Sequence, residues 1–188
     1  VYCLVLTTSS LAAYVRVCEE KFTITAMGCR ERRKNWRKIM SNEILFPIKK
    51  LPQFEDMLNN IVDGFNNFSL STKKLTIGIS AKKGLNLVDK FIYIHDHQYD
   101  YFCWVSFNFI EENLRDIEDT EYPYMGSVST RGETNLKFSI LILYIIASSL
   151  NSRIIYDDAY LVQAKEPYPC HELKPFVERY IQDLYSVT

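Results

Sequence analysis

The sequence predicts one α+β domain, in which a mostly antiparallel sheet is packed by helices, with a buried central helix and an amphipathic C-terminal helix. The chain has 188 residues, 47% of them hydrophobic, which is enough to bury a sizeable core in a single domain. After residue 50, segments with a helical period of apolar residues alternate with segments of strand-like alternation. Strands joined by short connections pair antiparallel, so this order of elements favours an antiparallel sheet.

The first predicted element is an amphipathic helix that follows Pro52. Its apolar side chains recur at helical offsets, at Phe54, Met57, Leu58, Ile61, Val62 and Phe65. Leu75, Ile77 and Ile79 then alternate with small or polar residues, which is typical of a half-buried strand.

Two β-rich runs, Phe91 to Asp96 and Tyr101 to Phe109, predict an antiparallel hairpin with its turn between His97 and Asp100. Alternation along the second run puts Phe102 and Trp104 on one face. That face is therefore either covered by a helix or available to a partner.

The segment from Glu111 to Glu121 is strongly acidic, with six acids and one Arg, and Pro123, Gly126 and Gly132 follow it. This composition predicts helical turns or a loop over the surface. The buried helix comes next, from Leu136 to Ser149, because its residues are apolar nearly all round.

Thr130-Arg131-Gly132-Glu133 has the spacing of a capping box at the start of this helix. Arg153 to Tyr156 predicts a short strand with a possible continuation from Ala159 to Val162, bent at Asp157-Asp158. The last helix carries a regular apolar stripe with Pro175 in its first turn, formed by Leu173, Phe176, Val177, Tyr180, Ile181 and Leu184.

Charge and cysteine content narrow the functional classes. The formal net charge of −1 gives no overall basic field for nucleic acid, and residues 40–188 carry 14 Lys/Arg against 20 Asp/Glu. The five cysteines are scattered and form no CxxC pair, which indicates a reducing compartment and hence a cytoplasmic location.

The most apolar run, Phe138 to Leu150, is about half the length of a bilayer-spanning helix, so we expect no membrane partner.

Residues 1–39 differ from the rest, since they are basic and have no sustained helical or strand period. Trp36-Arg37 read back as TGG-AGG resembles a bacterial ribosome-binding site shortly before the codon of Met40. We therefore expect the natural start at Met40, or at Met27, and translated upstream sequence before it. The alternative is a disordered basic N-terminal arm, and residues 40–188 form the single domain in either case.

Two groups of residues suggest metal chemistry. His95 and His97 lie at i and i+2, and so share one face of a strand, but no third ligand is evident, and a hairpin end explains them better. Asp157 and Asp158 are paired carboxylates of the kind that hold Mg²⁺, but adjacent strand residues point to opposite faces, which favours a turn. The chain has no Gly-rich phosphate loop, GxSxG or HExxH, so we expect no cofactor and no catalytic residues.

The run from Gly126 to Arg131, the apolar helix, the stretch from Asn151 to Asp158 and the amphipathic terminal helix together resemble small immunity proteins of bacterial polymorphic-toxin and contact-dependent growth inhibition systems. The resemblance covers about the last seventy residues. It implies a cytosolic, non-enzymatic protein that binds and blocks a cognate toxin domain.

An acidic inhibitor of this kind suits a basic nuclease toxin, because its carboxylates imitate phosphate and speed encounter. Steering is expected from Glu111, Glu112, Asp116, Glu118, Asp119 and Glu121. Anchoring is expected from Trp104 and Tyr124, since interface hot spots favour Trp and Tyr. Two alternatives remain open: a metal-dependent enzyme that uses Asp157 and Asp158 or His95 and His97, and a structural or regulatory subunit that oligomerises through its aromatic strand.

Overall fold

The structure, a computed structural model, describes residues 42–79, 86–157 and 167–185. The elements in chain order are β1 (Asn42–Ile48), α1 (Phe54–Asn67), β2 (Leu75–Ile79), β3 (Phe91–Asp96), β4 (Tyr101–Phe109), β5 (Tyr124–Thr130), α2 (Glu133–Ser149), β6 (Arg153–Ile154), β7 (Tyr156–Asp157), β8 (Tyr168–Pro169) and α3 (Lys174–Tyr185). Short 3₁₀ turns at Glu112–Leu114, Ile117–Asp119 and Cys170–Leu173 complete the described secondary structure.

Six of the strands form one sheet in the order β2-β3-β4-β5-β1-β7, and every neighbouring pair is antiparallel. β6 and β8 pair separately as a small antiparallel ladder. The α+β class with a mostly antiparallel sheet is therefore confirmed. The predicted hairpin is β3 and β4, with the bounds that the sequence indicated.

α2 packs directly on one face of the sheet, and α1 and α3 pack against α2. Side chains on all sides of α2 are fully buried, including Phe138, Ile140 and Ile142. Phe65 of α1 meets Phe138 edge to face, with ring centres 6.5 Å apart. The buried central helix is thus confirmed. No helix in the described ranges is long and apolar enough to cross a membrane.

The C-terminal helix α3 is also confirmed as amphipathic, with Val177 and Leu184 turned into the core. Two hydroxyls tie it to the hairpin. Tyr101 donates a hydrogen bond to the carbonyl oxygen of Leu184 at 3.1 Å, and Tyr185 donates to the buried carboxylate of Asp96 at 3.3 Å. Burial raises the pKa of the Tyr185 hydroxyl, so it stays a donor.

The regular apolar periods begin after residue 50, but the core begins earlier, in β1. β1 lies between β5 and β7, and it buries Ile44, Phe46 and Ile48 almost completely. Pro47, next to the last residue of β1, conceals the strand, because proline cannot donate a ladder hydrogen bond and is rare inside sheets.

β5 is a second strand that the sequence pattern conceals, since Gly126 and Ser127 are typical of a loop. Gly126 is required by packing, because a Cβ there would overlap the ring of Phe46 on the neighbouring strand. The surface loop therefore ends at Pro123 rather than continuing to Gly132.

The capping box is also wrong. α2 begins after Gly132, which has a φ of 84° and makes no side-chain cap hydrogen bond. Thr130 ends β5, and its buried hydroxyl donates to the carbonyl oxygen of Phe102 at 3.1 Å. The N-cap position therefore belongs to Gly132, which has no side chain to accept from the first N–H groups of the helix, and the predicted capping box does not form.

The strand predicted from Arg153 to Tyr156 is two strands, β6 and β7, which belong to different sheets. Asp157 is not a bend residue, because it ends β7 and is buried. Residues 1–41, Asp158 and the proposed continuation from Ala159 to Val162 lie outside the described residues, so the expectations about a start at Met27 or Met40 stay predictions.

Candidate functional site

The acidic segment forms the connection between β4 and β5 and contains the two 3₁₀ turns Glu112–Leu114 and Ile117–Asp119. Arg115 closes this connection from inside. Its Nε donates to the carbonyl oxygen of Ile110 at 2.9 Å, and its Nη1 donates to that of Thr120 at 3.1 Å. The backbone of Ile110 also donates to Pro123 across the base at 2.9 Å. The connection therefore has a defined shape.

Two of the six predicted acids hold this connection against the rest of the domain. The Asp119 carboxylate accepts from Arg153 of β6 at 2.5 Å, and Glu121 accepts from Lys49 at 2.8 Å. The hydrogen bond with Glu121 raises the pKa of Lys49. Both cations also lie over the Tyr122 ring, 5.0 and 5.8 Å from its centre. Asp119 and Glu121 are thus each paired with a cation from another part of the chain, Asp119 in a partly buried contact and Glu121 in an exposed one.

The other four acids project from the connection and are exposed. They are Glu111, Glu112, Asp116 and Glu118, and within the described part of the chain none of the four forms an ion pair. Leu114 lies among them and is 71% exposed. We name these four acids with Leu114 the acidic loop. It presents uncompensated negative charge beside one apolar side chain.

The structure separates the two predicted anchors, Trp104 and Tyr124. Alternation places Trp104 on the sheet face that points away from the helices, and Tyr124 on the face that the helices cover. Tyr124 is half-buried against the core and contacts Phe109, with ring centres 5.7 Å apart. Tyr124 is therefore close to the acidic loop, but it is mainly a packing residue.

The helix-free face is the surface of the sheet on which Trp104 lies. The three described helices pack on the opposite face. The central side chains of the helix-free face are Phe91, Tyr93 and His95 of β3, Phe102, Trp104 and Ser106 of β4, and Ser127 and Ser129 of β5. Ser106 and Ser127 are buried and bond to each other through their hydroxyls at 2.9 Å.

Aromatic rings dominate one half of this face. Tyr93 and Trp104 meet edge to face with centres 6.2 Å apart, and Phe102 packs on Trp104 at 5.2 Å. Phe91 and Tyr93 are 56% and 47% exposed. Neither Phe91 nor Tyr93 was predicted as a site residue, although both share one face with His95 by simple alternation along the predicted strand. The hairpin register, which sets Tyr93 opposite Trp104, supplies the missing signal.

The histidine pair lies at the end of the hairpin, with ring centres 4.0 Å apart. His95 Nε2 is bonded to Asp100 at 3.0 Å, and His97 Nε2 to Thr76 at 2.9 Å. Burial, and then the neighbouring His95, lower the pKa of His97. The described residues contain no group of three His, Cys, Asp or Glu side chains that is able to hold a metal ion.

Asp157 lies far from the histidines, because β7 and β3 are four strands apart in the sheet, about 19 Å at ordinary strand spacing. Its carboxylate accepts a hydrogen bond from the buried Tyr168 hydroxyl at 2.8 Å. The two predicted metal groups are therefore dispersed, and Asp157 acts as a structural acceptor.

Two hollows with volumes of about 490 and 560 Å³ lie on the helix side of the sheet. The first lies between α1 and α2, and the second lies beside Lys49, Lys50 and the start of α1. Each has a single carboxylate among its described lining residues, Asp63 in the first and Asp56 in the second. Neither hollow gathers paired groups for acid and base chemistry.

Comparison of the chain with protein-family models, curated proteins and solved structures finds no match.

Proposed function

We propose that the chain is a non-enzymatic binding protein that recognises a basic partner protein in the cytosol and neutralises it, the role that an immunity protein plays toward a toxin domain. One observation carries the proposal: a helix-free sheet face with exposed aromatic rings leads, along β4 and β5, into an acidic loop of defined shape. The surface thus combines apolar anchors with charge.

The aromatic half of the helix-free face has the composition of an interface core. Trp, Tyr, Phe and Arg are enriched in protein interfaces, and a few such residues supply most of the binding energy. Phe91 and Tyr93 expose about half of their surface although the core on the other face is complete without them. Exposed aromatic clusters of this kind are typical of surfaces that a partner covers.

The acidic loop supports a basic partner. Its four exposed carboxylates form no ion pair within the described residues, so their field extends into solvent. Residues 40–188 as a whole carry six more acids than bases. Such a field speeds association with a positively charged protein and weakens with salt. The internal contacts of Arg115, Asp119 and Glu121 fix the loop in advance, which lowers the entropic cost of binding.

Cytosolic location is supported by Cys103 and Cys170, which are both buried as free thiols. Burial raises the pKa of each thiol, so neither is prepared as a nucleophile. These side chains act as packing residues, which is consistent with a protein that binds rather than catalyses.

The test starts with capture of the product of the gene adjacent to the native gene, followed by association kinetics at low salt. Changing Glu111, Glu112 and Glu118 to Gln and Asp116 to Asn is expected to slow association about tenfold and to flatten its salt dependence. A matched control removes four exposed acids from the helix side, at Glu55, Asp56, Asp63 and Glu178. The control is expected to change the association rate much less.

Three outcomes contradict the proposal. The first is that the wild-type protein captures no partner. The second is that both four-acid variants slow association equally, which would show that only net charge matters. A third is a stable homo-oligomer in light scattering that dissociates when Phe91 and Tyr93 are changed to Ser, because the helix-free face then serves self-association.

A further inference from the structure

A hollow of about 310 Å³ lies on the helix-free face, and its lining residues come from three neighbouring strands and the residue after β5. They are Phe91, Tyr93, Trp104, Ser129 and Arg131. In the sheet register, Tyr93 lies opposite Trp104, and Trp104 lies opposite Ser129. The hollow is therefore built on one line of paired residues across three hydrogen-bonded strands, which gives it a rigid floor.

Its walls are aromatic and held at fixed angles. The rings of Tyr93 and Trp104 are 74° apart, in an edge-to-face contact. Trp104 is backed in turn by Phe102, again edge to face at 77°. A pocket with such walls takes an apolar or aromatic side chain, because rings that are already ordered lose little entropy on contact.

Arg131 gives the hollow a charge. Its guanidinium carbon lies 5.9 Å from the centre of the Trp104 ring, and the residue is exposed. Within the described part of the chain Arg131 forms no ion pair. An acid is nevertheless close in the sheet, because Glu43 of β1 lies opposite Ser129 on the same face. A guanidinium stacked on an aromatic ring keeps its N–H groups available for a carboxylate, which it binds in a bidentate manner.

We propose that this hollow receives an apolar side chain of the partner whose neighbouring residue is an Asp or Glu, with that carboxylate bound by Arg131. This inference rests on the proposed function and defines the partner further. The acidic loop begins just after Phe109, five residues along β4 from Trp104, or about 17 Å. The partner therefore presents a basic patch and, about 17 Å away, an apolar side chain beside an acid.

The probes are blocked dipeptides, N-acetyl-Phe-Asp-amide with its Asn and Lys counterparts, titrated into the full chain carrying Trp36→Phe. Trp104 is then the sole tryptophan, so its fluorescence and its single indole N–H resonance report on the hollow. The Asp peptide is expected to bind about fivefold tighter than the Asn peptide, since an exposed ion pair contributes up to about 1 kcal/mol. The Lys peptide is expected to bind most weakly.

Variants locate the site. Arg131→Gln is expected to remove the preference for Asp over Asn, whereas Arg179→Gln, at an exposed arginine on α3, leaves it intact. Phe91→Ala is expected to weaken all three peptides. The matched control is Phe109→Ala, because Phe109 is 52% exposed, much like Phe91 at 56%, but does not line the hollow.

Equal binding of the three peptides, the absence of any saturable change at Trp104, or equal weakening by Phe91→Ala and Phe109→Ala overturns the inference. A partner protein that binds normally to Arg131→Gln while the peptides fail removes the inference and leaves the proposed function standing. Peptides that bind as expected when no partner protein is captured do the reverse.

Discussion

The two faces of the six-stranded sheet are built from the same strands but have opposite character. On the helix-covered face, Ile92, Val105 and Val128 are at most 2% exposed and pack against α2. On the helix-free face, Phe91 and Tyr93, the chain neighbours of Ile92, are about half exposed. Strand alternation alone produces this difference, because successive side chains point to opposite sides. The aromatic content of a strand therefore does not reveal whether a ring stabilises the core or is available to a partner.

If the proposed function holds, the buried face of the sheet mainly stabilises the fold, and the helix-free face mainly binds the partner. Fully burying an aliphatic or aromatic side chain contributes about 1.5–3 kcal/mol, and the helix-covered face contains most of the side chains that do so. The half-exposed rings contribute less to folding, so they are retained at little benefit to the isolated domain. Mutations on the two faces are therefore expected to have different consequences.

The largest expected effect is the loss of β1. A chain that begins after Ile48 lacks three buried side chains, Ile44, Phe46 and Ile48, worth about 5–9 kcal/mol together, and the ladder partner of both β5 and β7. We expect no cooperative thermal transition by circular dichroism, since this loss approaches the stability of a whole domain. Removal of residues 1–39 alone is expected to leave the melting temperature nearly unchanged. Cooperative folding without residues 1–48 would show that β1 is not central.

A single charge on each face makes the comparison direct. Ile142→Asp places a carboxylate where the side chain is fully buried on α2, at a cost of several kcal/mol, and is expected to unfold the protein. Tyr93→Asp on the helix-free face is expected to leave a soluble domain with a slightly lowered melting temperature. Denaturant titration of both variants checks this, and a cooperatively folded Ile142→Asp variant would contradict the burial of α2.

The smallest effect is a pH dependence at the rim of the helix-free face. The pKa of His97 lies below its ordinary value of 6.5, mainly through burial and then through repulsion from His95. The folded state therefore favours neutral His97, and the stability that this provides is present above pH 6.5 and lost as the pH falls through the lowered pKa. His97→Gln is expected to lose less stability than the wild type between pH 7 and pH 5, measured by urea titration at each pH. Parallel curves for the two proteins would exclude a contribution of His97.

Regular periodicity made most of the fold predictable. α1 and α3 repeat apolar residues at helical offsets, the β3–β4 hairpin is rich in β-forming residues, and α2 is apolar nearly all round, so the existence of these elements follows from local pattern. β1 and β5 show no such local pattern, because Pro47 and Gly126 are typical of loops. Gly126 is explained only by its contact with Phe46 on the neighbouring strand. Contacts between strands distant in sequence are not visible in a local period.

The candidate site was predictable only in pieces. Acidic composition identified the loop, but its two internal ion pairs depend on Lys49 and Arg153, which are distant in the chain. Trp104 was found because tryptophan is typical of interfaces, whereas Arg131 gains its role only from the strand register that places it over Trp104. Tyr124 was predicted to contact the partner because β5 was not recognised as a strand. The face of the sheet on which the Tyr124 side chain lies was therefore unknown.

The most direct test of the separation between the two faces is a paired measurement on Phe91→Ser/Tyr93→Ser, with Phe109→Ser as the matched control. The melting temperature of the double variant is expected to stay within about 3 °C of the wild type, because neither ring belongs to the core. Its affinity for the partner encoded by the adjacent gene is expected to fall at least about tenfold, while the control changes little. Unchanged affinity, or a melting temperature that falls as far as that of a core variant, would contradict the account.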